Sequence, residues 1–183
     1  IGGRPDYWDK VGRGFLEEQD LRITCVNLEE SELSGDASDR LTLAVGDACA
    51  LDYPDNAFDL VHSNSVIEHV GGFSDMEAFA RETRRLAPAY YVQTPYYWFP
   101  IDPHFYRVPM MHWMPVPVQA ALLSRFKIGH SAPSRDLAVT MARIESREIL
   151  DAKRFRYLFP DAEHSFERVL GWPKSMIAIR RGA

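Results

Sequence analysis

Cysteine is scarce: Cys25 and Cys49 are the two in 183 residues, too few for a disulfide framework. No apolar run approaches the roughly 18 residues that a membrane-spanning helix needs. No stretch has the layout of a secretory leader either. Positive charge is also short, with 21 Lys and Arg against 26 Asp and Glu and a formal net charge of −5. Proteins that hold a phosphate backbone carry the opposite excess, so nucleic acid is not an expected partner. Internal repeats, low-complexity tracts and a second-domain boundary are all missing, and the length suits one domain. What these absences leave is a globule expected in the cytoplasm as a monomer or homodimer, with both thiols free and buried on adjacent strands. The chain opens on Ile1-Gly2-Gly3 without methionine. Such a start brings an activated serine protease to mind, but no Gly-Asp-Ser-Gly follows it.

The sequence does contain two alternating hydrophobic periods within a 46% apolar composition. Trp8, Val11 and Phe15 predict a short helix. Leu21–Val26, Leu41–Val45, Phe58–His62 and Tyr90–Gln93 read as strands. They stop at Asn27-Leu28-Glu29, Gly46-Asp47, Ser63-Asn64-Ser65 and Thr94-Pro95. Ser74 and Glu77 form a capping-box pattern ahead of a helix whose inner face is Met76, Phe79, Thr83 and Leu86. Further helices are predicted at Gln119–Phe126 and Ser146–Phe159. Strands at His164–Leu170 and Ser175–Arg181 are joined at Gly171-Trp172-Pro173. The alternation predicts an α/β fold, a doubly wound, mostly parallel sheet with a terminal antiparallel hairpin. Between its elements, residues 96–117 hold five prolines and seven aromatics.

In an open α/β sheet, ligands bind beyond the C-terminal ends of the strands. Those ends here carry Gly2-Gly3, Asn27-Leu28-Glu29, Gly46-Asp47-Ala48, Ser63-Asn64-Ser65 and Thr94-Pro95-Tyr96. Each set suits a nucleoside. Glycines admit a close approach, and Asn27 or Glu29 can bond ribose hydroxyls. Asp47 can accept from an adenine amino group, and the Ala48 N–H can donate to a ring nitrogen. Taken singly, each also has a plain structural reading as a turn or a cap.

The continuous block from Gly46-Asp47-Ala48 through Phe58-Asp59-Leu60-Val61, with Ser63-Asn64-Ser65-Val66-Ile67-Glu68-His69-Val70, resembles the class I S-adenosylmethionine-dependent methyltransferases. The parallel is with a bacterial branch associated with polysaccharide or lipid-glycan biosynthesis. Phe79–Leu86, Val92-Gln93-Thr94-Pro95, Phe99–His104, Glu167-Arg168 and Lys174-Ser175 fit the same pattern. The likeness thus runs over residues 1–183 as a single domain with an aromatic, proline-rich insertion at about 96–117. It implies a Rossmann-like fold whose first strand is largely missing ahead of Ile1. It also implies S-adenosylmethionine as cofactor, held by Gly2, Gly3, Asn27, Leu28, Glu29, Asp47, Ala48, Ser63 and Asn64. Two departures stand out. Arg4 and Asp6 occupy the places of the later glycines in the family's acidic-x-Gly-x-Gly-x-Gly motif, and Asn27 replaces the usual ribose-binding acid. Asp47→Ala and, more severely, Gly3→Val are expected to weaken cofactor binding.

Methyl transfer is an in-line displacement in which positioning does much of the work. A base is needed only where the nucleophile starts protonated. His104, in the loop after Asp102-Pro103, is the leading candidate, with His69 and Glu68 beside it by resemblance. A loop-holding role for the Glu-His pair and a solvent-facing His104 are the plainer readings. His104, His112 and Asp102 fit no zinc spacing and no cysteine helps, so no metal is expected. Thr94-Pro95-Tyr96-Tyr97 lies at the wrong strand for the Pro-Pro-Tyr motif of base-methylating enzymes. Tyr97, Trp98, Phe105, His112 and Trp113 read as an acceptor wall or as packing. The expected activity is O-methylation of a small molecule or of a glycan or lipid-glycan intermediate. The alternative is a non-catalytic, cofactor-binding scaffold, suggested by Arg4 and Asp6. A nicotinamide enzyme comes third, since the three-glycine fingerprint is absent.

Overall fold

The β-branched and apolar runs become strands in the computed structural model, which describes residues 1–32, 38–129 and 132–182. The polar Ser31–Arg40 stretch is therefore described only at its two ends. Strands β1 (Ile23–Asn27) and β2 (Leu41–Val45) pair in parallel, with Ile23 opposite Leu41. Strands β3 (Leu60–Asn64) and β4 (Ala89–Pro95) are also parallel. The terminal hairpin β5 (Glu163–Val169) and β6 (Trp172–Arg180) is antiparallel, and β6 lies antiparallel on β4. One sheet is predicted, but the hydrogen bonding forms two, β1-β2 and β3-β4-β6-β5. Ile1 and Gly2 run between them, with Ile1 N 2.7 Å from His62 O and Gly2 N 2.8 Å from Val26 O.

Helices cover both faces of the larger sheet. On one face, α1 (Pro5–Val11) lays Tyr7 and Trp8 against His62, which stacks in turn on Tyr91 at 5.1 Å. The predicted helix through Phe15 is split, because Gly12, at φ +97°, turns the chain into a second short helix, α2 (Arg13–Glu18). On the other face, α3 (Phe73–Leu86) buries Met76, Phe79, Ala80, Thr83 and Leu86. These residues share a core with Tyr90, Val92, Met176 and Ala178 from the sheet. Helix α3 starts earlier than its predicted cap, with Gly72 as N-cap and the Asp75 carboxylate accepting from Gly72 N at 2.9 Å. Ser74 lies inside the helix.

The chain after β4, from the proline-rich 96–117 stretch onward, packs partly on itself. Helix α4 (Val116–Arg125) packs on α5 (Leu137–Glu145), which the sequence pattern did not predict. Phe105, Met111, Leu123 and Ile128 form a second small core. The helix predicted over Ser146–Phe159 is shorter, α6 (Ala152–Leu158), because the Asp151 carboxylate caps Lys153 N and Arg154 N and stops the chain winding earlier. Among the described residues, no helix is long and apolar enough to cross a membrane.

One partly exposed contact locks β6 to β4. The Tyr90 hydroxyl donates to Asp161 at 2.6 Å, and Arg180 meets the other carboxylate oxygen at 2.6 Å. Burial alone would raise the Asp161 pKa, but these donors outweigh it and hold the carboxyl below its ordinary range. A depressed folded-state value contributes stability that is complete above the unfolded pKa of about 3.9 and lost as pH falls through the folded one. Asp161→Ala should therefore cost about 1–3 kcal/mol near neutral pH, from the stranded Tyr90 hydroxyl. It should also flatten the acid loss of stability, as urea melts at neutral and strongly acid pH will show.

Candidate active site

The strand ends gather the predicted cofactor residues on one edge. Gly2 is held at φ +68°, and a Cβ there would stand 2.2 Å from Val66 Cγ2, so no side chain fits without movement. A Cβ on Gly3 would meet only Cys25 Sγ at 3.4 Å and Trp8 Nε1 at 3.7 Å. The strict steric position is thus Gly2 rather than Gly3. The Asn27 amide donates to Gly3 O at 2.8 Å, so this residue fixes the glycine turn from beneath. Leu28 and Glu29 beyond it are exposed. Gly46 N bonds Asn27 O at 2.9 Å, which brings the Asp47-Ala48 turn to the same edge. The exposed Asp47 uses one oxygen to accept from Cys49 N at 2.8 Å. On β3, Ser63 is fully buried with its hydroxyl unpartnered, and Asn64 is exposed beside it. Cys25 is buried, but Cys49 sits half-buried in the turn after β2, where burial pushes its thiol up to about 11.

A second group lies one turn further on. A 3-10 turn, Ile67–His69, follows β3, and another, Pro103–Phe105, follows β4. Their imidazoles meet, with His69 Nε2 2.9 Å from His104 Nε2. Each ring is gripped from behind. His104 Nδ1 lies 2.7 Å from the buried Asp102 carboxylate, and His69 Nδ1 lies 2.9 Å from Ser146 O. Those partners only accept, so each Nδ1 carries a hydrogen, and the short Nε2–Nε2 contact calls for a proton or another cation shared between the two nitrogens. Partial burial is the main cause that lowers the pKa of His69.

Behind the imidazoles, Glu68 is fully buried and accepts from the Thr94 hydroxyl at 2.9 Å through one oxygen. Its other oxygen has no partner, and burial pushes the carboxyl up to about 6. Arg147, 3.3 Å from Asp102 and 3.7 Å above the Phe105 ring, completes the support. Burial would raise the Asp102 pKa, but the two His104 donors and Arg147 reverse the direction. Beneath the turn, Gly129 adopts φ +64°, and a Cβ there would lie 2.0 Å from His104 O.

Structure therefore unites all three predicted catalytic residues and adds Asp102, Thr94, Ser146 and Arg147 behind them. Only the Asp102-Pro103-His104 triplet signals this locally. His112 stays apart, its Nε2 2.8 Å from Tyr97 O, beside the Trp113 indole that donates to the same carbonyl. Of the predicted wall, Phe105 is core, while Tyr97, Trp98, His112 and Trp113 form an aromatic cluster with Trp98 exposed.

Residues 12–88 match the model of a family described as a methyltransferase domain. These residues are thus similar to a methyltransferase domain over 77 of the chain's 183 positions. The chain's α/β architecture is shared with a solved structure described as dependent on S-adenosylmethionine. The residues present fit the nucleoside of that cofactor: exposed carboxylates at Glu29 and Asp47, a glycine turn between β1 and β3, and an unpartnered Ser63 hydroxyl. No curated protein sequence matches the chain. Solved structures share its fold. One described as SAM-dependent methyltransferases, from Methanosarcina mazei, is 13% identical over 92% of this chain and 86% of that one, with a TM-score of 0.51. The PH0226 protein of Pyrococcus horikoshii OT3 is 13% identical over 93% and 76%, at 0.52. A Rhodobacter sphaeroides protein described among zinc-dependent alcohol dehydrogenases is 14% identical over 93% and 81%, at 0.55. Identities this low speak for the fold alone. The methyltransferase match ends at Pro88, so β1, β2 and β3 lie within it while Asp102 and His104 lie beyond.

Proposed function

We propose that this methyltransferase domain O-methylates a small molecule or a glycan or lipid-glycan intermediate. The observation that carries the reading is the oriented His104–His69 pair, next to the strand ends that hold the nucleoside. A hydroxyl acceptor starts protonated, and a positioned imidazole is the commonest group to relieve it of that proton. In this reading His104 takes the proton, Asp102 fixes its ring, and His69 positions it from the other side. Glu68 holds the turn through Thr94. When bound, S-adenosylmethionine supplies the electrophilic methyl group. The chain's part is to seat the nucleoside with Asp47, Ala48, Leu28 and Glu29, and to keep the glycine turn in place through Asn27. Trp98, Tyr97 and Trp113 offer flat faces that suit a sugar ring. The negative net charge supports a site closed to nucleic acid.

Methyl-labelled cofactor, given to the enzyme with separate pools of sugar nucleotides, lipid-linked glycans, small phenols and alcohols, protein and RNA, tests the reading. Label is expected on a hydroxyl of the first three classes; label confined to protein or RNA overturns it. In parallel, Asp47→Ala should weaken cofactor binding by about 1–3 kcal/mol, roughly 5- to 150-fold by titration calorimetry. Parental affinity in that variant would place the nucleoside away from β2.

A further inference from the structure

We propose that Glu68, His69 and His104 bind a divalent transition-metal ion of the zinc class, with one coordination position left open toward the acceptor. One ligand atom from each residue lies within 4.8 Å of the other two. Two imidazoles and one carboxylate are the donor set of open, catalytic zinc sites, where a water or substrate atom takes the fourth place.

Three observations point to a cation rather than to packing. First, the two Nε2 lone pairs stand 2.9 Å apart with both Nδ1 atoms already committed to acceptors. Two neutral rings held this way repel, so either a shared proton or a metal ion must lie between the two nitrogens. Second, the outer contacts are those that orient metal-binding imidazoles. Asp102 holds one ring and the Ser146 carbonyl holds the other, which fixes the tautomer and aims Nε2 inward. Third, one Glu68 oxygen is buried without any hydrogen-bond partner, although the other is satisfied by Thr94. Buried carboxylate oxygens are costly to leave unmatched, and a metal ion supplies the match.

The geometry requires only side-chain adjustment. Bond lengths of about 2.0–2.2 Å place tetrahedral donors about 3.3–3.6 Å apart. The imidazoles would open by a few tenths of an ångström, and the carboxylate, already within 4.8 Å of both, would draw in by no more than about 1.5 Å. The sequence hid this arrangement because it drew attention to His104 with His112 and Asp102. In the structure His112 is engaged elsewhere and Asp102 stands one layer behind.

The binding claim stands independently; its role rests on the O-methylation reading. A hydroxyl oxygen in the open position becomes more acidic and releases its proton to water. That oxygen then bonds the methyl carbon as the carbon–sulfur bond breaks, and the electron pair stays on sulfur. The metal thereby takes over the acidifying task assigned above to His104 alone.

Untagged protein stripped by a chelator and titrated with Zn²⁺ and with Co²⁺ tests the site. One equivalent is expected to bind in the micromolar range or tighter, and Co²⁺ should give the visible bands of a low-coordinate site. His69, which lies at the surface with only part of its ring covered, can be changed to Gln with little risk to folding, and Glu68→Gln keeps the shape of its side chain. Each should weaken binding at least about tenfold, and Asp102→Asn by about 10- to 100-fold. Absence of binding to the parent, or undiminished binding in both His69→Gln and Glu68→Gln, overturns the proposal. Chelator-stripped enzyme that still labels a hydroxyl at the parental rate removes the metal's role and leaves O-methylation intact. Metal binding without label on any hydroxyl acceptor does the reverse.

Discussion

Asp102→Ala is expected to cost about 3–5 kcal/mol of folding stability, and most of that loss arises at Arg147. Asp102 is 1% exposed, and the Arg147 side chain it faces is 8% exposed. Removing one partner of a buried ion pair leaves the other charge dehydrated and uncompensated, which is the source of the magnitude. The His104 backbone N–H loses its acceptor in the same change, and the His104 ring loses the contact that aims it. Urea melts of the variant should show the full loss. The double variant Asp102→Leu with Arg147→Met should recover much of it, because no charge is then left buried. A loss below about 1 kcal/mol in the single variant would show that water reaches Arg147 and that the support behind His104 is loose.

Phe79→Ala should cost a similar amount, about 3–5 kcal/mol, by a different route. Phe79 is fully buried at the middle of α3, in the core shared with Tyr90, Val92, Met176 and Phe155. Truncating it removes apolar burial and leaves a cavity between helix and sheet. Helix α3 also anchors the turn after β2. Glu82 accepts from Leu51 N, and Arg85 bonds the carbonyls of Leu51 and Tyr53 as well as Asp55. Loosening the helix should therefore be felt at Asp47 as weaker cofactor binding. Phe79→Leu, which keeps more of the volume, should cost less than half as much. A melting curve for Phe79→Ala close to the parent's would mean that the core closes over the gap.

Much of this architecture is legible in the sequence, for identifiable reasons. The four strand runs are short, apolar and bounded by Gly, Asn, Ser or Pro, so their ends could be located. The α3 stripe repeats at helical spacing and is buried as read. Its start was misplaced because the residue that caps it, Gly72, has no side chain to announce the role. Helix α5 escaped because Leu137 and Val139 are exposed in it and Thr140 is its buried residue, the opposite of an amphipathic pattern. His69 and His104 were each named from local motifs. Their contact, 35 positions apart, and the Arg147–Asp102 pair, 45 apart, depend on how two turns and the 146–151 stretch converge. No periodicity encodes that convergence.

Gly129 ties the freedom of one part of the chain to the needs of another. It contributes no atom to the imidazole pair, yet its backbone lies flat against the carbonyl of His104. Any side chain there would push the Pro103–Phe105 turn outward and carry Nε2 of His104 away from His69. The link between α4 and α5 is thus less free to drift than its distance from the chemistry suggests. Over evolutionary time, residues 129 and 103–105 should change together or not at all. A glycine at this place is then as telling a mark of shared chemistry as the histidines themselves.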